Sequence, residues 1–158
     1  FNEIIDKRFQ FVNLGHSFRC TELESAIGIG QLNRKDMLSK RRIEIAHYYN
    51  SELSHLSEYI QLPHCPNDRT HCYMLYGLTL RNESKKELVR FLEYSNIETR
   101  DLLPLTNQPV YKNFINEDDY PIAKWVNNNG FYIGCHPYMK DAEIEFVVNR
   151  IKAYFEKK

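Results

Sequence analysis

The sequence predicts a mixed α/β fold whose C-terminal two thirds forms a small α+β domain. Two observations predict this class: apolar residues recur at helical spacing behind capping residues, and strand-like apolar runs lie between those helical stretches. A third observation is the proline-containing, turn-rich stretch at residues 62–68, which separates two parts of the chain. We therefore predict a boundary near residue 60, with one part at residues 1–59 and the other at residues 60–158.

Two helices are predicted in the first part. Thr21 and Glu24 have the spacing of a reciprocal capping box, so the first helix begins there. Gly28 and Gly30 follow in the same helix. Both are poor helix formers, and their presence favours the close approach of another element.

The second helix is predicted from about residue 36 to residue 56. Its apolar stripe consists of Leu38, Ile45, Tyr49, Leu53 and Leu56. The opposite face carries Arg41, Arg42 and Glu44, and we expect water to solvate these charges.

The second part of the chain alternates strands and helices. Residues 71–80 predict a buried strand, and Ser84 with Glu87 forms a second capping box that begins a helix. Asn96 suits the left-handed position that ends this helix, and residues 97–100 predict a short strand.

A long connection leads from that strand to the end of the chain. We predict a short helix with Pro121 in its first turn and Gly130 past its end, and then a strand at residues 131–133. A last helix follows from about residue 141. Its apolar face consists of Ile144, Val147, Val148, Ile151 and Phe155.

Composition and charge exclude several classes of protein. Of the 158 residues, 42% are hydrophobic and 27% are charged, which is typical of a globular chain rather than a disordered one. The 21 basic residues balance the 21 acidic ones, so we expect no nucleic-acid partner and no membrane partner. The sequence has no apolar run of membrane-spanning length and no signal-peptide pattern at its start.

The cysteine pattern indicates a cellular compartment, and the first residue indicates how the sequence relates to the complete protein. The cysteines are scattered without a CxxC pair, which indicates a reducing compartment, and we expect a cytoplasmic protein. The sequence opens with Phe1 rather than Met, which indicates that it begins inside a longer protein.

Two His-Cys pairs, His64-Cys65 and His71-Cys72, raise the alternative of a zinc site. Their spacing matches no common zinc pattern. Cys72 also falls in the predicted strand at residues 71–80, where a small buried cysteine is ordinary. We therefore expect no metal.

Three separated stretches resemble one known family. The first stretch, residues 14–32, contains Gly15-His16-Ser17-Phe18-Arg19. The second, residues 97–111, contains Ile97-Glu98-Thr99-Arg100 and Pro104-Leu105-Thr106-Asn107-Gln108-Pro109. The third combines Tyr120-Pro121-Ile122-Ala123-Lys124 with Ile133-Gly134-Cys135-His136-Pro137. In this order they are similar to segments of the DegT/StrS-type nucleotide-sugar aminotransferases, and together they extend over nearly the whole chain.

The resemblance implies a pyridoxal-phosphate-dependent transferase of fold type I. Residues 1–59 would be the end of its large domain with the interdomain helices, and residues 60–158 its small C-terminal domain. The family transfers an amino group, usually from glutamate, to a nucleotide-linked keto-sugar in polysaccharide, cell-surface glycan or antibiotic sugar biosynthesis. The implied cofactor is pyridoxal 5'-phosphate, and the implied assembly is a homodimer whose active site is shared between subunits.

The resemblance also implies roles for Ser17 and Arg19. Ser17 stands where the family has an Asn that reaches the cofactor phosphate of the neighbouring subunit, and a serine hydroxyl can still donate to a phosphate oxygen. Arg19 matches a family Arg, and its planar cation suits a sugar-linked diphosphate. Both precede a helix N-terminus, whose free N–H groups and positive dipole end favour phosphate. The structural alternative is that Arg19 pairs with Glu22 or caps a local carbonyl.

Arg100, Asn107 and Gln108 are the further substrate-binding residues that the resemblance implies. Arg100 supplies a cation, while Asn107 and Gln108 supply amide donors and acceptors. Thr106 stands where many family members have His, which leaves open a different substrate. The alternative is a loop held together by its own hydrogen bonds.

No residue of the chain corresponds to the family's Schiff-base lysine. That lysine lies upstream of the segment beginning at Gly15, and Lys7 lacks the surrounding motif. We therefore expect no catalytic residue in this chain and no activity from it alone. Two alternatives stay open: a sugar dehydratase of the same family, in which a His replaces the lysine, and a non-catalytic α+β binding module.

Overall fold

The computed structural model describes residues 18–102, 105–111 and 113–156, apart from the side chains of residues 107 and 110. The helices are α1 (Glu22–Leu32), α2 (Lys35–Leu53), α3 (Lys85–Tyr94), α4 (Pro121–Asn129) and α5 (Asp141–Phe155). The strands are β1 (Ile60–Gln61), β2 (Leu75–Leu80), β3 (Thr99–Asp101) and β4 (Gly130–Gly134). Short 3-10 helices span Ser54–Leu56, Leu105–Asn107, Pro109–Tyr111 and Glu117–Asp119. The chain divides into two compact units, Phe1–Lys35 and Asp36–Lys158.

The four strands form one sheet in the order β1-β2-β4-β3, and every neighbouring pair is antiparallel. The central pairing places Tyr76 opposite Ile133 and Leu78 opposite Phe131. Burial alternates along β2, because successive side chains of a strand point to opposite faces of the sheet. The predicted α+β architecture of this part is confirmed.

The core is built by the apolar faces of helices packed on the sheet. α2 contributes Ile45, Tyr49 and Leu53, all of them at most 1% exposed, as its apolar stripe predicted. α5 buries its whole predicted face. Those residues are Ile144, Val147, Val148, Ile151 and Phe155. Fully burying one such side chain contributes roughly 1.5–3 kcal/mol relative to leaving it exposed, so the helical periodicity accounts for how both helices dock.

α3 begins and ends as its sequence predicts. The hydroxyl oxygen of Ser84 accepts a hydrogen bond from the N–H of Glu87 at 3.3 Å. Asn96 adopts a φ of 59°, and its N–H donates to the carbonyl of Glu93. Asparagine tolerates this left-handed conformation better than most residues, so the chain can leave the helix here and enter β3.

The strand predicted at residues 71–80 is shorter than expected. β2 begins at Leu75 because Tyr73 has a φ of 46°, which is incompatible with an extended strand. Cys72 therefore lies outside the strand and is exposed, contrary to the prediction that it is buried.

Arg41 is a second correction. Its guanidinium is not simply solvated, because it forms an ion pair with Asp141 at 2.5 Å and donates to the carbonyl of Met139 at 3.2 Å. Only 31% of its side chain is exposed. The reason is that α5 begins beside this face of α2, so one of the predicted surface charges faces a neighbouring helix.

The predicted division between residues 1–59 and 60–158 concerns a longer fold and stays a prediction. In this structure α2 shares its core with the sheet. No described helix is both long enough and apolar enough to cross a membrane.

Candidate functional site

Arg19 lies on the exposed segment that leads into α1. The helix begins with the predicted capping box: the Thr21 N–H donates to Glu24 Oε2 at 2.8 Å, and the Glu24 N–H donates to Thr21 Oγ1 at 3.3 Å. The hydrogen bond from the Thr21 backbone, reinforced by that from its hydroxyl, lowers the pKa of Glu24. Ser17, the predicted cofactor contact, lies outside the described residues.

The capping box and the acidic first turn make the N-terminus of α1 less favourable for binding an anion. The amides of Thr21 and Glu24 are already bound within the box. Glu22 and Glu24 also place two acidic side chains in the first turn, where they offset the positive end of the helix dipole. An anion at this position would therefore depend mainly on the guanidinium of Arg19 rather than on the helix terminus.

α1 carries an apolar surface that the described residues of its own unit leave uncovered. None of its residues is buried, and its large apolar side chains are between 60% and 73% exposed. These are Leu23, Ile27, Ile29 and Leu32. A Cβ built at Gly28 or Gly30 would meet no described atom within 4 Å, so the element that we predicted to approach these glycines is not among the described residues.

Arg100 lies on β3, directly opposite Tyr132 of β4. Its guanidinium donates to Glu98 Oε1 from Nη2 at 2.7 Å and from Nε at 2.9 Å, and this partner raises the pKa of Arg100. Both side chains are about two-thirds exposed or more, at 67% and 73%. An ion pair in water is worth about 0–1 kcal/mol, so an anionic ligand can displace Glu98.

Glu98 is a feature that sequence reasoning missed. The signal was available, because residues two apart on an extended segment share a face.

Lys85 was also missed. Its ammonium lies 2.8 Å from Asp101 Oδ1 and donates to the carbonyl of Asn127, so it joins α3 to the end of β3 and to α4. No local pattern indicates that link.

In the loop after β3, Asn107 is the last residue of one 3-10 helix, and Gln108 lies between that helix and the next. The N–H of Gln108 donates to the carbonyl of Leu105 at 3.1 Å, and its own carbonyl accepts from Tyr111 at 2.9 Å. The backbone of Asn107 ends the first 3-10 helix, and its side chain lies outside the described part. Local hydrogen bonds thus hold this backbone, and Arg100 lies on β3, the strand that precedes the loop.

One member of each His-Cys pair makes a local contact. His71 Nδ1 accepts the N–H of Tyr73 at 3.0 Å, and Cys65 Sγ lies 3.5 Å from the carbonyl of Arg69. Across the described ranges, no three His, Cys, Asp or Glu side chains converge as a metal site would require.

Comparison with known proteins gives one family and a consistent fold. The model of the DegT/DnrJ/EryC1/StrS aminotransferase family matches residues 2–152. GDP-perosamine synthase of Vibrio cholerae is 30% identical over 156 residues, which cover 96% of this chain and 42% of that protein. The dTDP-4-dehydro-2,6-dideoxy-D-glucose 3-dehydratase of Saccharopolyspora spinosa is 24% identical over 163 residues, covering 96% of this chain and 34% of the relative.

Solved structures agree with this fold. S. venezuelae DesV superposes with a TM-score of 0.85 at 21% identity, covering 98% of this chain and 42% of DesV. This chain therefore spans about two fifths of the length of the proteins that it matches.

Proposed function

Because the chain belongs to the DegT/DnrJ/EryC1/StrS aminotransferase family, we propose that the complete protein transfers an amino group to a nucleotide-linked keto-sugar. Glutamate is the proposed donor, and polysaccharide, cell-surface glycan or antibiotic sugar biosynthesis is the proposed context. The observation that carries the proposal is the family match over residues 2–152, supported by the 30% identity to a GDP-perosamine synthase.

The reaction is balanced between the two substrates. Glutamate gives up its amino group and two electrons and becomes 2-oxoglutarate. The keto carbon of the sugar accepts those electrons and becomes a carbon that bears an amine. Pyridoxal 5'-phosphate is the proposed cofactor; when bound, it would act as an electron sink and would carry the amino group between the two half-reactions.

The donor groups on this chain fit the anionic part of such ligands. Arg19 presents an exposed guanidinium, which suits a diphosphate. Ser17 remains the proposed contact to the cofactor phosphate. Arg100, Asn107 and Gln108 are the proposed contacts to the nucleotide-linked sugar, and Arg100 would exchange its exposed partner Glu98 for the ligand. Nothing in this chain is assigned to the covalent attachment of the cofactor.

The proposed assembly is a cytoplasmic homodimer with a shared site. The uncovered apolar side chains of α1 support an interface beside Arg19, because such side chains are seldom left in water. In that arrangement, Ser17 and Arg19 serve the site of the neighbouring subunit.

Isotope transfer tests the proposed function. The complete protein is incubated with the cofactor, glutamate labelled at its nitrogen, and a nucleotide-linked keto-sugar, and the sugar product is analysed by mass spectrometry. We expect the labelled nitrogen to appear on the sugar and 2-oxoglutarate to form in equal amount. Consumption of the sugar without nitrogen transfer contradicts the proposal.

A dehydratase is the second candidate, favoured by the similarity to the S. spinosa 3-dehydratase. This reaction removes a sugar hydroxyl and incorporates no nitrogen. The same incubation therefore separates the two, as does the residue at the cofactor-attachment position: a lysine there favours amino transfer, and a histidine favours dehydration.

A further inference from the structure

The sequence contains one Asn-Gly pair, Asn129-Gly130, which lies where α4 ends and β4 begins. Asparagine before glycine is prone to spontaneous deamidation in an unfolded chain, because glycine has no side chain to shield its backbone nitrogen. That nitrogen attacks Cγ of the asparagine, ammonia leaves, and a succinimide ring remains. Water then opens the ring to aspartate or to isoaspartate. The reaction therefore consumes one water, releases one ammonia and needs no other reactant.

Packing requires a glycine at position 130. A Cβ built there would lie 2.6 Å from the carbonyl oxygen of Val126 and 2.8 Å from Cδ1 of Leu102. Real Cβ atoms do not come this close to other atoms, and the backbone of Val126 cannot rotate away as a side chain can. The fold therefore retains the reactive pair, and any protection of Asn129 has to come from the folded structure.

The folded chain holds both reacting groups in hydrogen bonds. The N–H of Gly130 donates to the carbonyl of Val126. The carboxamide of Asn129 is partly buried, and its Nδ2 donates to the carbonyl of Trp125 at 2.9 Å. The Gly130 nitrogen must lose its proton and the carboxamide must turn toward it, so both hydrogen bonds have to break before the succinimide can form.

A further contact fastens the last turn of α4. Lys85 of α3 donates from Nζ to the carbonyl of Asn127 at 2.9 Å and pairs with Asp101 at 2.8 Å. Only 18% of the lysine side chain is exposed, so water screens this contact less than it screens a surface ion pair. Opening the C-terminal turn of α4 therefore also breaks the contact with Lys85.

We propose that Asn129 is a deamidation site that the closed end of α4 protects, so that its modification records how often this end opens. The inference goes beyond the proposed function and does not depend on it. The product carries a negative charge at the C-terminal end of α4, where the helix dipole is already negative. A carboxylate also cannot donate to the carbonyl of Trp125. Each modification thus makes the junction between α4 and β4 easier to open.

Deamidation of this chain in buffer and in urea provides the first test. Both samples are held at the same mildly alkaline pH, and peptide mapping by mass spectrometry follows the conversion of Asn129 to aspartate and isoaspartate. We expect the reaction in urea to be about 10-fold faster or more, because the folded chain reacts only while α4 is open. Equal rates would show that the fold gives no protection, and no reaction in urea would show that the pair is not reactive. Either result overturns the proposal.

The chemistry itself has two controls in the same urea samples. Asn128 precedes an asparagine rather than a glycine, so it should react more slowly than Asn129. Gly130→Ala should slow the reaction at Asn129, because its added Cβ hinders the attacking nitrogen. This variant is compared only in urea, where its folding does not matter. An unchanged rate would mean that water, rather than the backbone nitrogen, attacks the carboxamide.

The consequence for stability is tested with Asn129→Asp, which reproduces one of the two products. This variant should lower the melting temperature by about 2–4 °C, because it places a charge against the helix dipole and removes the hydrogen bond to Trp125. Asn128→Asp, at an exposed position of the same turn, adds the charge and should lower the melting temperature less. An unchanged melting temperature in Asn129→Asp contradicts the predicted weakening of the junction.

Loosening the end of α4 provides the decisive test. Lys85→Met keeps the aliphatic part of the side chain and removes its ammonium group. In the folded chain it should speed the modification of Asn129 about 3- to 10-fold, because the loss of one hydrogen bond lowers the free energy of opening. The rate in urea should not change. Lys86→Met, at the neighbouring exposed position, is the matched control and should alter neither rate.

A variant in the core separates opening of α4 from unfolding of the whole chain. Tyr76→Phe removes the hydrogen bond from Tyr76 to Asn50, which involves neither α3 nor α4. It should leave the folded rate unchanged, because only the end of α4 has to open. Equal acceleration by Tyr76→Phe and Lys85→Met would show that Asn129 reacts only after global unfolding. No acceleration by Lys85→Met would show that the end of α4 does not set the rate. Either result overturns the proposal.

Discussion

Individual buried side chains in the core keep their protons to unusually high pH. Tyr49 and Tyr76 are fully buried with ring centroids 4.8 Å apart, and burial raises the pKa of both phenols above the usual tyrosine range. The Tyr76 hydroxyl donates to Asn50 Oδ1 at 2.6 Å. Burial likewise raises the pKa of the Cys135 thiol to about 11. The unfolded chain releases these protons first, so the stability that they contribute is present below the ordinary pKa of each group and is lost as pH rises toward the folded pKa.

Replacing Tyr76 by Phe tests this alkaline linkage. At neutral pH we expect the free energy of unfolding to fall by about 0.5–1.5 kcal/mol, because the hydrogen bond to Asn50 is lost. The difference from the unmodified chain should narrow above about pH 10, where an ordinary tyrosine ionises. Urea unfolding at a series of pH values measures this difference in the free energy of unfolding. Tyr120→Phe, at a position 49% exposed, is the control, and a difference that does not vary with pH contradicts the linkage.

Thiol labelling tests the burial of Cys135. At about pH 8, close to the ordinary thiol pKa, a thiol reagent should modify the exposed Cys20 and Cys72 quickly and Cys135 only after unfolding. Cys72→Ser should therefore remove one rapidly labelled site, whereas Cys135→Ser should remove none. Loss of a fast site in Cys135→Ser would show that this thiol is accessible.

Arg19 is the residue whose proposed role can be measured most directly. In the complete protein, Arg19→Ala should weaken nucleotide-sugar binding by about 1.5–3 kcal/mol, the value of one charged hydrogen-bonded contact. The control is Arg81→Ala, at an exposed position of the other unit. If Arg19→Ala leaves affinity unchanged and lowers only the melting temperature, the residue is structural.

At the scale of elements, the predictions succeeded where a local chemical signal sets the boundary. The capping residues of α1 and α3 and the apolar face of α5 were read correctly, because each depends on residues a few positions apart. β2 was misplaced because the backbone of Tyr73 takes a left-handed conformation that no pattern of apolar residues reveals. The 3-10 helices of the loop after β3 were missed because each is shorter than one period of the helical pattern.

The end of α3 gives a prediction at this scale. Asn96→Ala should lower the free energy of unfolding by roughly 1–2 kcal/mol, because alanine is strained at a φ of 59°. Asn96→Gly serves as the matched variant and should have a much smaller effect, since glycine adopts this conformation freely. Chemical denaturation measures both. Equal destabilisation by the two variants would mean that contacts of the Asn96 side chain, rather than its backbone conformation, account for the lost free energy of unfolding.

At the scale of the whole molecule, the sequence predicted the small α+β domain better than the site. Periodicity identified the core because burial follows local patterns. The candidate site depends on contacts between residues that are distant in sequence. Lys85, for example, contacts Asp101 and Asn127, and no local pattern indicates either contact. Glu98 was the exception, since its spacing from Arg100 was visible in the sequence.

The uncovered surface of α1 predicts that this chain associates with itself. Sedimentation should show a mass that increases with concentration, because large apolar side chains in water favour association. Ile27→Glu combined with Leu32→Glu should shift the chain toward monomer. Met74→Glu is the control, at a side chain 70% exposed in the other unit. A monomer at all concentrations in the unmodified chain contradicts the prediction.

The strand order β1-β2-β4-β3 also governs how this chain comes to be folded. In the central strand pair, Thr79 lies opposite Gly130, which is far away in the sequence. The two helices and the long loop between these residues must be synthesised before β2 and β4 can pair. Such distant pairings form slowly, because the entropy of closing the loop is lost before the contact is gained. During translation, one edge of β2 therefore remains unpaired until β4 has emerged from the ribosome. Until β4 pairs with it, this unpaired strand edge favours aggregation of the nascent chain, which a chaperone that covers the edge would prevent.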